Sequence, residues 1–305
     1  MTRVAAVDCG TNSIRLLVAD VEDGRLVERT RQMQIVRLGQ GVDRTGALAP
    51  DALDRTFVAL RDYARVIAEM GADRVRMCAT SATRDATNRD VFVDGCTAIL
   101  GVAPEVISGA EEAAASFRGA TAELPRDRHP APYLVVDIGG GSTELVVGDT
   151  SVDQSVSLDI GCVRLTERHL RADPPSADQT AAAEADVDAL LAGAESSVDV
   201  RSARTLVGLA GSVTTVAALA LGLTSYDPTR IHLSRTSYAG VDRITDLLLT
   251  STRAQRLDLP VMHPGRADVI GGGALVLRAV MRRWGIGEVV ASERDILDGI
   301  ALSLA

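Results

Sequence analysis

Apolar residues in this chain fall largely into short β-type runs broken by glycine-bearing turns, and two of these runs are near copies of one another. VAAV leads into Asp8 and YLVV into Asp137; each is followed by a tight turn and then by a second apolar run, IRLLVADV or TELVVGD. Aligned without gaps, DCGTNSIRLLV and DIGGGSTELVV share Asp8/Asp137, Gly10/Gly139, Ser13/Ser142, Leu16/Leu145 and Val18/Val147. Each copy therefore reads as a strand, a turn and a returning strand. A Rossmann dinucleotide turn would need a helix directly after its glycines, and neither copy supplies one. Turn signals follow at matching places, VEDGR and VGDTS. The pattern predicts a duplicated α/β unit with a ligand cleft between the halves.

The rest of the chain fills in helices. Between the copies the spacing predicts a helix from about 50 to 70, a strand at RVRMCAT, a helix from about 88 to 100, a short strand near PEVI and a helix over 111–117. After the second copy come a helix at CVRLTERHL, a long amphipathic helix opened by Pro174 and Pro175, and a strand and turn at RTLVGLAGSVTT. A helix through VAALAL, one near 244–251, the glycine-rich HPGRADVIGGGALVL and the closing SERDILDGIALSLA complete it. The polar, proline-rich ELPRDRHPAP reads as a hinge. We therefore expect domains at 1–126 and 127–292, with 293–305 completing the first. A length of 305 residues with 46% hydrophobic content supports two cores where one would be strained.

Charge and composition narrow the function. A net charge of −9 repels nucleic acid and anionic membranes at long range, so neither is an expected partner, and a polyanionic substrate needs a local cluster of donors. The longest apolar stretches, Val216 to Leu223 and Val269 to Leu277, are far shorter than the ~20 residues that span a bilayer. MTR runs directly into a strand without an apolar leader, so a cytoplasmic location is expected. The four cysteines and four histidines show no metal-ligand spacing. A space-filling role for Cys9 and Cys162 is the simpler reading.

Glycines and small hydroxyl residues at a strand turn let backbone N–H groups and hydroxyls converge on an anion, and phosphate is the obvious guest of two such loops. If each turn closes as a hairpin, Asp137 faces Glu144, with Cβ atoms only ~5 Å apart. Two facing carboxylates repel unless a divalent cation joins them, and oxygen ligation shared with phosphate is the habit of Mg²⁺. In the first copy the same register puts Asp8 opposite Arg15, a self-neutralising pair, with Asp8 still able to contribute through water. In ISGAEEAAASFRG, Ser108 and Glu111 form a capping box, which leaves Glu112 either as a solvated helix-face residue or as a base for an attacking water. Arg84, in ATSATRDATN, either forks onto phosphate oxygens or pairs with Asp85 or Asp90. GLAGSVTT offers Gly211, Ser212 and Thr214 as phosphate contacts, with a helix cap as the alternative role for Ser212. Arg266 is a further cation, while Gly271 to Gly273 read as close helix packing.

Taken in order, DCGTNSIRLL, ATSATRDATN, ISGAEEA, DIGGGSTEL, GCVRLTE, GLAGSVTT, RADVIGGG and DILDGIAL resemble the exopolyphosphatase/guanosine pentaphosphate phosphatase family, over nearly the whole chain. The form resembled is its short two-domain actinobacterial type. The resemblance implies an actin-like (ribonuclease H-like, ASKHA) duplicated fold with its active site in the interdomain cleft. It implies that Glu112 is the catalytic base, and that Asp137, Gly139 and Glu144 handle metal and water, with Asp8 as a further metal contact. Phosphate contacts implied are the first loop (Asp8, Gly10, Thr11, Asn12 and Ser13), Arg84 and Ser142; Gly139, Gly140, Gly141 and Thr143 of the second loop, with Gly211, Ser212 and Arg266, are the further candidates. The implied cofactor is Mg²⁺, with Mn²⁺ as the alternative metal. The implied substrate is inorganic polyphosphate or guanosine pentaphosphate, and a homodimer is compatible with the family. Val213 stands where longer members often carry a lysine, which weakens the phosphate grip expected of that loop, and without their additional C-terminal helical region the long polyphosphate channel it contributes is not expected. Competing readings are a kinase or ATPase of the same superfold, and a sensor that binds without turnover.

Overall fold

The computed structural model describes residues 2–305, and the chain divides into two compact units. One comprises the chain up to Ala122 together with Asp295–Ala305; the other is Glu123–Arg294. In chain order the first unit holds β1 (Thr2–Cys9), β2 (Ser13–Glu22), β3 (Arg25–Ile35), α1 (Val42–Thr45), α2 (Pro50–Met70), β4 (Arg74–Ala79), α3 (Ser81–Asp85), α4 (Arg89–Leu100), β5 (Glu105–Val106) and α5 (Gly109–Thr121). The second opens with β6 (Tyr133–Ile138), β7 (Thr143–Gly148), β8 (Val152–Leu158), α6 (Cys162–Arg168), α7 (Ala177–Ala194), β9 (Thr205–Leu209) and α8 (Ala210–Ala220). It continues with α9 (Pro228–Ile231), β10 (Arg235–Ser237), α10 (Tyr238–Thr250), α11 (Arg253–Leu257), α12 (Ile270–Trp284) and β11 (Glu288–Ala291). The last helix, α13 (Ile296–Leu302), returns to the first unit.

The duplication read from the loops extends to the sheets. The first sheet runs β3-β2-β1-β4-β5, antiparallel up to β1 and parallel beyond it. The second runs β8-β7-β6-β9-β11, with the same change of direction at β6, plus an antiparallel edge strand β10. This repeated order makes the protein a duplicated actin-like α/β fold.

Strand periodicity explains why β1 and β2 are buried on both sides. Ala5, Val7 and Cys9, with Ile14, Leu16 and Val18, join one core beneath α2 and α4. The intervening Val4, Ala6, Leu17 and Ala19 join another, closed by Ile296, Leu297, Ile300 and Ala301 of α13. Helices α5 and α13 meet through two glycines: a Cβ at Gly119 would fall 1.8 Å from the Asp295 carbonyl oxygen, and one at Gly299 1.9 Å from that of Ala115. Asp8 continues the Val4, Ala6 row, so the chain's last helix covers the face that carries the first loop's aspartate. In the second unit Leu134, Val136 and Ile138 face the core shared with α7, α8, α10 and α12, and Asp137 lies in the opposite row.

Some boundaries differ from the sequence reading. Helix α7 begins at Ala177 and is opened by a capping box between Ser176 and Gln179, so Pro174 and Pro175 precede it. Helix α10 starts at Tyr238 behind a Ser237 cap, earlier than apolar spacing alone suggests. The cysteines are all free and buried, and burial raises the Cys78 and Cys96 thiols to about 12. No described helix is long and apolar enough to cross a membrane.

Candidate functional site

The first loop is a closed hairpin turn. The Gly10 N–H donates to the Ser13 carbonyl at 2.9 Å, and the ladder pairs Asp8 with Arg15. Arg15 donates through Nη2 and Nε to Asp8 Oδ2 at 2.7 and 3.0 Å, and its Nη1 reaches Asp295 at the head of α13. Burial lifts the Asp8 carboxyl above its ordinary range, against the pull of Arg15. Its Oδ1 is buried without a partner, as are Asn12 Oδ1 and Thr83 Oγ1. The loop's outer side is pinned: the N–H groups of Val36 and Arg37 both reach the Asn12 carbonyl, and that of Gly39 reaches Thr11. The N–H groups of Thr11 and Asn12 make no hydrogen bond among the described residues. Such unsatisfied donors in a turn form an anion cradle.

Beside this loop stands the end of β4, since Cys9 pairs with Ala79 and the Thr80 N–H donates to the Cys9 carbonyl. The following helix α3 carries Arg84, whose Nη1 donates to Glu112 Oε2 at 3.1 Å and to the Ile107 carbonyl at 2.8 Å. The alternatives weighed for Arg84, ion pairs with Asp85 or Asp90, give way to this contact across 28 residues of sequence. Ser108 and Glu111 do form the capping box of α5, and Glu112, one residue on, is 8% exposed. The first unit thus gathers Asp8, Gly10, Thr11, Asn12, Ser13, Arg84 and Glu112 at the carboxyl ends of β1 and β4.

The second loop repeats the turn and changes its chemistry. The Gly139 N–H donates to the Ser142 carbonyl at 3.0 Å, and Asp137 pairs with Glu144 in the register the hairpin reading requires. Both carboxylates are buried, at 7% and 1% exposure, and Ser157 Oγ donates to Glu144 Oε1 at 2.8 Å. The Thr143 hydroxyl donates to the Ile160 carbonyl, so this residue is spent on bracing the turn. The start of α6 takes up the loop's carbonyl oxygens: Cys162 N–H reaches Gly139, Val163 and Arg164 N–H reach Gly140, and Arg164 Nε reaches Gly141. The N–H groups of Gly140 and Gly141 keep no partner among the described residues. Only glycine fits at 161, because a Cβ there would sit 2.5 Å from the Gly140 backbone.

The end of β9 lies beside this loop, Asp137 pairing with Leu209. Helix α8 starts at once, through Ala210 at φ +65°, a strained value for a non-glycine residue. Arg266 packs its guanidinium on Gly211, where an added Cβ would lie 2.3 Å from Cζ. Ser212 lies inside α8 behind an N-cap at Leu209, so the cap role weighed for it does not apply. It hydrogen-bonds Cys162, whose thiol burial raises to about 11. Thr214 accepts from Tyr226. The glycine run pack helices as expected: a Cβ at Gly273 would fall 2.1 Å from Ser212 Oγ and one at Gly272 2.9 Å from the Cys162 carbonyl.

Among the described residues no cluster of three His, Cys, Asp or Glu side chains could hold a metal ion by itself. The donor sets suit a hard cation that keeps water and phosphate ligands, because Mg²⁺ is commonly held by one or two carboxylates plus phosphate oxygens. The buried Asp8 Oδ1 without a partner, and the facing pair Asp137 and Glu144, are such donors. Asp295, Arg164, Gly161 and Ser157 were missed from sequence; of these only Gly161 leaves a signal, a glycine directly before the helix at CVRLTE.

A duplicated α/β fold carrying two strand-turn-strand anion cradles, one edged by paired carboxylates and the other by an arginine-held glutamate, defines a protein that handles phosphate groups. The chain belongs to the Ppx/GppA phosphatase family, whose model matches residues 17–305. It is 54% identical to Exopolyphosphatase 2 of Mycobacterium tuberculosis (strain ATCC 25618 / H37Rv), across 100% of this chain and 99% of that protein. Among solved structures, an exopolyphosphatase-like protein superposes with a TM-score of 0.97 at 47% identity, covering 100% of this chain and 98% of the other. The Aquifex aeolicus Ppx/GppA enzyme gives 0.82 at 30% identity, with 99% of each chain covered.

Proposed function

We propose that this chain is an exopolyphosphatase, hydrolysing the terminal phosphoanhydride bond of inorganic polyphosphate with Mg²⁺. The observation that carries the reading is the placement of Glu112: a shielded carboxylate, spared from capping by Glu111 and oriented by Arg84. The free N–H groups of Thr11, Asn12, Gly140 and Gly141 are suited to grip phosphoryl oxygens. Glu112 takes a proton from water as its oxygen attacks the terminal phosphorus, the bridging P–O bond breaks, and its electron pair leaves with the shortened chain. Arg84 keeps Glu112 aimed, and its remaining N–H groups would be donors for the charge that develops on the phosphoryl oxygens. Asp137 and Glu144 would hold the cation, which would neutralise charge on the phosphates.

The test is phosphate release from a ladder of polyphosphate lengths and from guanosine pentaphosphate, with and without Mg²⁺. Mg²⁺-dependent release from polyphosphate is expected, and Glu112→Gln should lose roughly 10²–10⁴-fold in turnover while still binding the chain. Faster release from guanosine pentaphosphate at equal concentration would transfer the assignment to that substrate. Unaltered turnover in Glu112→Gln would remove the glutamate from its role.

A further inference from the structure

A polar cavity lies at the start of β9, within the second unit. It measures about 520 Å³, in the range of ligand sites, and its wall includes Arg128, Arg201, Arg204, Arg235, Glu288 and Trp284. Four arginines against one glutamate leave a local balance of +3 in a chain whose net charge is −9. Arg235 is committed, with Nη1 2.7 Å from Glu288 Oε1 and Nη2 donating to the Arg128 carbonyl at 2.6 Å. Arg128 reaches an acid only loosely, 4.0 Å from Asp127. Arg201 and Arg204 have no ion pair or side-chain hydrogen bond among the described residues. Burial first, then the field of Arg235, holds the nearby His129 below its usual pKa, so the buried imidazole adds little positive charge of its own.

The cavity opens between the starts of β9 and β11, whereas Gly211, Ser212 and Arg266 follow the end of β9. Five residues of strand separate the two places, roughly 17 Å at ~3.3 Å per residue. It is therefore distinct from the phosphate loop. Trp284 closes α12 beside Gly285 at φ +66°; part of its ring packs on the core and part lines the cavity. An aromatic wall with unpaired guanidinium groups suits a ligand with a flat base and a multiply charged phosphate tail, because stacking and forked hydrogen bonds use different parts of it.

We propose that this cavity is a non-catalytic binding site for a nucleoside oligophosphate, its base against Trp284 and its phosphates on Arg201 and Arg204. Trp284 is the only tryptophan in the chain, so its fluorescence reports on this place alone. The experiment titrates the full chain with ATP, with inorganic tripolyphosphate and with adenosine, and repeats it in Arg201→Glu/Arg204→Glu. ATP should give a saturable emission change, tripolyphosphate a weaker response and adenosine none. In the double variant the ATP midpoint should rise at least about tenfold, from loss of charge-assisted hydrogen bonds. Polyphosphate hydrolysis and thermal midpoint should stay unchanged there, since both side chains are exposed. No saturable change at millimolar ATP, or an unmoved midpoint in the variant, overturns the site. Tripolyphosphate binding as tightly as ATP overturns the role of the base.

Discussion

The two loops close through the same backbone bond, Gly10 to Ser13 at 2.9 Å and Gly139 to Ser142 at 3.0 Å, yet differ in charge at the cross-strand pair beside the turn. Asp8 faces Arg15, while Asp137 faces Glu144. In the first loop the aspartate meets an arginine of its own hairpin, which also reaches Asp295 and so ties the loop to the last helix. In the second loop two buried carboxylates face each other across the hairpin, and the cation proposed above would join them. One fold thus supplies a rigid cradle and a charged one from the same turn.

The most disruptive way to break this contrast is Arg15→Met. It strands Asp8 and Asp295, both about 5% exposed, without their shared cation. Breaking a buried ion network by removing one partner costs about 3–5 kcal/mol, and urea unfolding should show a loss of that order. Asp295→Asn added to it should recover part of the loss, because one stranded charge is then gone. A loss under about 1 kcal/mol, the scale of an exposed pair, would mean the arginine does not hold the loop.

Glu144→Gln sharpens the other side. Removing one of the facing charges should lower hydrolysis by roughly 10–100-fold at limiting Mg²⁺, the usual scale for a disturbed metal shell, with recovery as Mg²⁺ rises. Urea stability without metal should fall little, since the glutamine carbonyl can still accept from Ser157 Oγ. A parallel loss in both assays would assign Glu144 a structural role.

The contrast between the loops was legible in sequence because a short antiparallel hairpin fixes its own register: once the turn is placed, residue 8 must meet 15 and residue 137 must meet 144. The capping box at Ser108 and Glu111 was legible for the same reason, being local. What sequence hid was non-local. Arg84 meets Glu112 from a different helix, and Asp295 meets Arg15 from the far end of the chain. No periodicity links such positions, so Arg84 read as a free cation or as a partner of its neighbours Asp85 and Asp90. Ser212 was ambiguous because a serine after glycine suits a cap; the backbone strain at Ala210, which lets α8 start early, leaves no sequence signature.

How each loop is pinned gives a smaller test. At Gly161 an added Cβ meets the Gly140 backbone at 2.5 Å, while at Gly39 its nearest contact is the Thr11 methyl at 2.3 Å, with Ala82 Cβ farther at 3.0 Å. Backbone cannot step aside as a rotamer can. Gly161→Ala should therefore cost about 1–3 kcal/mol by overpacking and raise KM, and Gly39→Ala should cost less. Equal losses would mean that Thr11 is as fixed as the second loop's backbone.

The finest comparison lies within one hairpin. Asp8 and Asp20 both face arginines across β1 and β2, Arg15 and Arg3, but their carboxyls shift in opposite directions. Hydrogen bonds from Arg3 and Arg29 satisfy both oxygens of Asp20 and hold its carboxyl down at about 2. Asp8 has one oxygen without a partner, and burial lifts its carboxyl. A depressed folded value stabilises above the unfolded pKa of ~3.9 and is lost as pH falls through about 2. Asp20→Asn should therefore be less stable than the parent at pH 7, with the deficit closing between about pH 4 and pH 2. A raised folded value works the other way: it favours the fold below the unfolded pKa and is lost as pH rises through the folded one. Asp8→Asn should thus gain on the parent as pH rises, while losing hydrolysis. Chemical denaturation of both variants from pH 2 to 8 reads the two slopes. Opposite signs are expected; equal signs would mean that the two aspartates do the same structural work, and that the unpaired oxygen of Asp8 is not held in reserve for a ligand.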